Sequence, residues 1–169
     1  MAEIGFAITF VSRRSQFWWK GRLKRAADKM RRMAQWLVKE EPDHYPYGQL
    51  EEDRKTVWAG VKNPLAQKHL RTIRRGDRVF YYHTGKEKAV VGIAKAATAA
   101  YPDPADRSGR SHVVDLVPVK RLPRPVTLAE IKADRRFADF PLTYLPRLSV
   151  MPVSEKQWEM VLSLATLRT

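Results

Sequence analysis

Met33 to Pro42 reads MAQWLVKEEP, an apolar run too short for an ordinary helix that stops on a lysine and two adjacent carboxylates. Such a run is a buried strand, and buried strands seldom end this way without a use for the charges. Two further segments repeat the theme: Trp58-Ala59-Gly60-Val61-Lys62-Asn63 and Phe80-Tyr81-Tyr82-His83-Thr84 each place aromatic rings beside hydrogen-bonding groups. Together they point to a pocket for a flat, polar ring.

Around these segments the pattern alternates strands with short helices. Gln35 to Lys39 reads as a strand, and Tyr47 to Asp53 as a short helical turn behind Pro46. Asn63-Pro64 opens a clearer helix: Asn is a good N-cap, Pro suits the first helical position, and Leu65, Ala66, His69, Leu70 and Ile73 recur at helical spacing. Arg78 to Thr84 and Ala89 to Ala100 are strand-like and flank Gly85-Lys86-Glu87-Lys88, which predicts a hairpin. Val113 to Val119 is another strand after a loop over Pro102 to Arg110. Thr127 with Glu130, and Ser154 with Gln157, have capping-box spacing, so two short helices are expected to close the chain. Strands meeting non-locally around a few helices define an α+β domain with a curled or barrel-like mixed sheet.

The formal charge is +14 and half of it lies on residues 1–32, where nine Lys or Arg face two acids. That stretch has the wrong order for a secretory signal, because Ile4 to Val11 precedes Arg13-Arg14. It reads as a basic extension, disordered or upstream of the functional start at Met33; a phosphate-binding arm and an organelle-targeting segment are the alternatives. Residues 33–169 form the domain. The chain has no cysteine, which excludes disulfides and zinc–thiolate sites and makes a reducing cytoplasm the simplest compartment. No apolar run approaches the roughly 20 residues of a membrane-spanning helix.

Catalytic signatures are missing. Gly85-Lys86 lacks the preceding glycine and following hydroxyl of a phosphate-cradling loop, the four histidines are widely spaced, and no serine sits in a GxSxG elbow. No metal, no cofactor and no catalytic residue are therefore expected. Glu40 and Glu41 are neighbours on an extended segment, so at most one is expected to face any given site.

The ordered series Trp36-Leu37-Val38-Lys39-Glu40-Glu41-Pro42, Trp58 to Asn63, Gly76-Asp77, Phe80 to Thr84, Val91-Gly92-Ile93, Tyr101-Pro102-Asp103-Pro104 and Arg147 to Val153 resembles the EVE domain family. The resemblance runs from Met33 to about Leu164. It implies a PUA-like α+β fold, a curled mixed β-barrel with short flanking helices, and a non-catalytic pocket for a methylated or hydroxymethylated nucleobase in DNA or RNA. A base in a duplex must leave the stack at a cost of a few kcal/mol, and stacking on an aromatic ring returns about 1–3 kcal/mol.

Carried onto these positions, the resemblance makes Trp58 the first choice of stacking face, beside the accessible backbone of Ala59 and Gly60; a core tryptophan is the competing role. Lys39, Glu40, Val61 and Tyr82 are expected to line the pocket, with Tyr81 facing away by strand alternation. Glu40 stands where the family most often has a serine. A carboxylate there accepts a hydrogen bond, for example from an exocyclic amine, but cannot donate one. Asn63 is either a base-edge reader or only an N-cap. His83 and Thr84 are donor and acceptor candidates or exposed hairpin residues. Ser149 approaches the site, and Lys62, Lys68, Arg71, Arg75 and Arg147 are the candidate phosphate contacts. The partner expected is a nucleic acid carrying a modified base, bound by a monomer away from membranes. A nucleobase-acting hydrolase or nuclease accessory with Glu40 or Glu41 as general base is the alternative on the same scaffold; a general RNA-binding protein using only its basic surface is another.

Overall fold

The computed structural model of the chain describes residues 33–167; the basic extension expected over residues 1–32 lies outside them. The strands are β1 (Gln35–Glu40), β2 (Thr56–Trp58), β3 (Arg78–His83), β4 (Ala89–Ala96), β5 (Tyr101–Pro102), β6 (His112–Thr127) and β7 (Val150–Val153). The helices are α1 (Tyr47–Asp53), α2 (Pro64–Leu70), α3 (Leu128–Ala133), α4 (Pro141–Tyr144) and α5 (Glu155–Thr166), with a 3-10 turn over Arg135–Phe137. The sheet runs β2-β6-β4-β3-β1-β7, with β5 paired to β6 off that path. All its pairings are antiparallel except β1 with β3. That parallel pair brings the two strands to a common end, Lys39 opposite Tyr82 and Glu40 opposite His83.

β1 is buried along its first four residues because both its neighbours and both its faces are covered. The Gly76-Asp77 pair explains how it is anchored. Asp77 is buried, and its carboxylate accepts from the Ala34 and Arg74 amides and from Trp36 Nε1 at 2.9–3.1 Å. One side chain thus ties the start of β1 to the turn before β3. Beneath the sheet, Phe80 stacks on Trp158 of α5 with centroids 3.7 Å apart. In Val91-Gly92-Ile93, Gly92 has no room for a side chain: a Cβ there would lie 2.5 Å from the Tyr47 ring, whose hydroxyl donates to the Ile93 carbonyl at 2.6 Å.

Both capping boxes form, and Asn63 caps α2. Other expectations are corrected. The strand expected to reach Ala100 stops at Ala96, and the one expected to stop at Val119 runs on to Thr127. Pro123 and Pro125 are accommodated because the pairing with β4 jumps from Gly92 opposite Arg121 to Val90 opposite Val126, which leaves both in an irregular stretch of the ladder. Leu65, placed by periodicity on the inner face of α2, is 43% exposed, and Gln67 is buried instead. The short β2, β5 and α4 carry too few residues for any period to show.

Candidate functional site

Where β1 and β3 end together, the chain leaves both strands and a wide cleft opens. It has a volume of about 440 Å³ and is lined by Lys39, Glu40, Glu41, His44, Thr84, Pro146, Arg147, Leu148 and Ser149. Backbone bonds fix its frame: Thr84 N donates to Glu40 O at 2.8 Å, and Lys39 N donates to Ser149 O at 2.9 Å. The segment from Leu145 to Ser149 forms one wall, held by the Lys39 ammonium, which donates to the Leu145 and Pro146 carbonyls at 3.3 and 3.0 Å. Desolvation of this half-buried ammonium lowers its pKa to about 8.

The two carboxylates do not behave as strand alternation predicts. Regular β1 ends at Glu40 and the chain turns at once, with His44 and Tyr45 amides donating to Glu41 O, so Glu40 and Glu41 both line the cleft. Glu40 Oε1 accepts from the Glu41 amide at 3.0 Å and pairs with His44 Nδ1 at 3.1 Å. Its carboxylate is thereby held in place with acceptor capacity left over. Thr84 contributes a buried hydroxyl with no hydrogen-bond partner among the described residues. Arg147 is exposed and has no acidic partner among them.

Of the residues carried over from the resemblance, Lys39, Glu40, Thr84, Ser149 and Arg147 lie together around this cleft. Tyr82 is buried to 3% and lines an adjoining cleft that shares Lys39, Thr84 and Pro146 with the first. Burial raises its phenol pKa to about 12. Tyr81 does face away: it is fully buried, donates to Tyr45 O at 2.8 Å, and burial pushes its pKa upward.

His83 departs from both roles considered for it. It is buried, its Nε2 accepts from the Tyr47 amide at 3.0 Å, and its Nδ1 lies 2.6 Å from Glu87 Oε2. An acceptor at Nε2 requires the proton on Nδ1, so both ring nitrogens are occupied in holding α1 to the hairpin.

Trp58 lies elsewhere. It sits on β2 opposite Val114, is 4% exposed, packs its edge against Tyr81 at 5.6 Å, and lines neither of these two clefts. In this conformation no face of the indole is open for stacking, and its Nε1 has no partner among the described residues. The following Ala59 and Gly60 are exposed, with Gly60 at φ 75°. Val61 is buried, and its carbonyl accepts from Gln67 Nε2 at 2.9 Å. Gln67 also bridges to both backbone groups of His112, which is why a glutamine occupies an inward helical position. Asn63 Oδ1 accepts from the Leu65 and Ala66 amides, so its oxygen is committed to the cap.

Among the basic residues, Lys62, Lys68 and Arg75 are exposed. Arg71 is not a free cation: its guanidinium donates to Arg110 O and to His112 Nδ1, fastening the 103–111 loop to α2. Within that loop Asp106 accepts from Ser108, Arg110 and Ser111, which holds its carboxyl well below the usual range. Pro146 and Leu148 are not among the residues the sequence singles out, and His44 counts there only as one of four widely spaced histidines. His44 carried a signal, four residues from Glu40 beyond a proline; the wall at Pro146–Leu148 carried none, since it is the antiparallel pairing of β7 with β1 that brings it there.

The curled mixed sheet with a few short helices, open where β1 and β3 end, is a PUA-like α+β fold. The family model described as the EVE domain matches residues 34–164, and the chain belongs to that family. Thymocyte nuclear protein 1 of Gallus gallus is 31% identical, covering 76% of this chain and 67% of its own. A solved protein of Rhodopseudomonas palustris is 44% identical with a TM-score of 0.75, covering 79% of this chain and 93% of its own. The crystal structure of human THYN1 protein in complex with 5-methylcytosine containing DNA is 26% identical with a TM-score of 0.71, covering 80% of this chain and 99% of that one.

Proposed function

We propose that this domain binds nucleic acid and reads a modified nucleobase in the cleft at the ends of β1 and β3, without transforming it. The observation that carries the proposal is the grouping around one cleft of the Glu40 carboxylate, Ser149, and the Thr84 hydroxyl and Arg147 guanidinium, which have no hydrogen-bond and no acidic partner, respectively, among the described residues. At about 440 Å³ the cleft falls within the range of roughly 300–1,000 Å³ typical of small-ligand sites. Glu40 accepts from an exocyclic amine, Thr84 donates or accepts at the base edge, and Arg147 meets the phosphate at the mouth. The His44 imidazole supplies a flat face on the cleft wall in place of the buried Trp58. The human relative solved with methylated DNA supports the ligand class. Reading needs no activated nucleophile, and Glu40 is held by the Glu41 amide and His44.

Short oligonucleotides carrying 5-methylcytosine, 5-hydroxymethylcytosine or N6-methyladenine, single and double stranded, are compared with their unmodified forms by fluorescence anisotropy. Preference for one modification is expected, with Glu40→Gln weakening it at least about tenfold. Equal affinity for every oligonucleotide would sink the reading. Steep salt dependence without modification preference would instead favour a general nucleic-acid surface.

A further inference from the structure

The second cleft, about 330 Å³ in volume, shares Lys39, Thr84 and Pro146 with the first but has a different chemistry. The first mixes two acids with Lys39, His44 and Arg147. The second has an apolar floor of Tyr82, Leu128 and Leu142 and three lysines, Lys39, Lys88 and Lys132, with no acid in its lining. Lys88 and Lys132 are exposed at their tips and have no acidic partner among the described residues. They come from unrelated elements, the end of the β3–β4 hairpin and the last turn of α3, joined by a 2.7 Å bond from Leu128 N to Lys88 O. Lys88 is moreover held at φ 45°, a conformation few lysines adopt. An apolar floor flanked by two lysines without acidic partners among the described residues suits a flat ring bearing an anion, and the shared wall places that ligand beside whatever fills the first cleft.

We propose that the second cleft is a subsite for the nucleotide that neighbours the read base on the same strand, its ring over Tyr82 and Leu128 and its phosphate between Lys88 and Lys132. The subsite rests on the reading of the first cleft. It also divides the labour, since a mixed-charge cleft suits a neutral polar edge whereas a cationic one suits a phosphate.

The test uses the full chain with the double variant Lys88→Asn/Lys132→Gln, asparagine being chosen because it tolerates positive φ. A control carries Lys95→Gln/Lys156→Gln, which removes the same charge outside both clefts. Calorimetry compares a free modified nucleoside with a single-stranded trinucleotide holding it centrally. The wild type and the control are expected to bind the trinucleotide at least about tenfold more tightly than the nucleoside. The double variant loses that gain, keeps its nucleoside affinity, and shows a shallower salt dependence. Equal weakening by the control pair, or undiminished trinucleotide affinity in the double variant, would overturn the subsite. Preference for modified over unmodified trinucleotide is scored separately: its absence alongside lysine dependence defeats the base-reading proposal and leaves the phosphate contact standing. Its presence without lysine dependence defeats the subsite alone.

Discussion

The stretch from Val61 to Gln67 and the common end of β1 and β3 are both rich in polar groups, yet they use them in opposite ways. In the first, Asn63 spends its oxygen on two helix amides, and Gln67 spends its whole amide on Val61 and His112. In the second, Thr84 keeps an unpartnered hydroxyl, Glu40 keeps spare acceptor capacity and Arg147 has no acid opposite it among the described residues. In the first region the fold satisfies its polar groups, and in the second it leaves several of them open to a ligand. The contrast makes stability the readout of the first region and affinity that of the second.

Gln67→Leu breaks the comparison most severely, because it strips partners from the Val61 carbonyl and both His112 backbone groups. About 2–3 kcal/mol of stability is expected to go, seen as a lowered midpoint in urea unfolding. Gly92→Ala tests the packing of α1 on β4. Its methyl would meet the Tyr47 ring, and overpacking of this kind costs about 1–3 kcal/mol, measurable as a fall in Tm. Asn63→Ala should cost about 1 kcal/mol through the lost N-cap while oligonucleotide affinity stays within about twofold. A tenfold loss of affinity with intact stability would return Asn63 to the ligand. Thr84→Val is the converse: replacing an unpartnered hydroxyl should change stability by less than about 0.5 kcal/mol yet abolish modification preference.

A pH dependence is expected as well. Lys39 is lowered to about 8 by burial, so between that pH and its ordinary value the unfolded chain holds more protons than the folded one. Stability should therefore rise with pH from about 8 towards 10. The penalty for burying the ammonium is fully present below that window. Above about 10 the tyrosines reverse the trend, since burial raises Tyr47 and Tyr82 to about 12 and folding then resists their ionisation. Lys39→Met should flatten the rise in Tm between pH 8 and 9.5; an unchanged slope would detach it from Lys39.

Much of the scaffold is legible in residues that act locally. The capping pairs at Thr127 and Ser154 and the Asn63-Pro64 helix start each need only neighbours within one turn, and each forms. Strand alternation correctly sends Tyr81 inward and away from the clefts. The same rule fails at Glu41, because alternation holds only while a strand continues and β1 stops one residue earlier. It also cannot show that His83 is buried, since the Tyr47 amide that binds it arrives from 36 residues away.

By itself, then, the sequence determined the α+β class, the hairpin, the helix starts and the family, because these rest on short-range chemistry and on an ordered series of motifs. Which polar groups would stay unsatisfied was decided only by tertiary structure. The parallel pairing of β1 with β3 creates the common strand end, and the Leu145–Ser149 segment closes one side of it. Trp58 illustrates the difference: its surroundings in the chain suit a binding face, but Tyr81, far away in sequence, claims it for the core. A side chain's availability depends on what packs against it, and no local pattern records that.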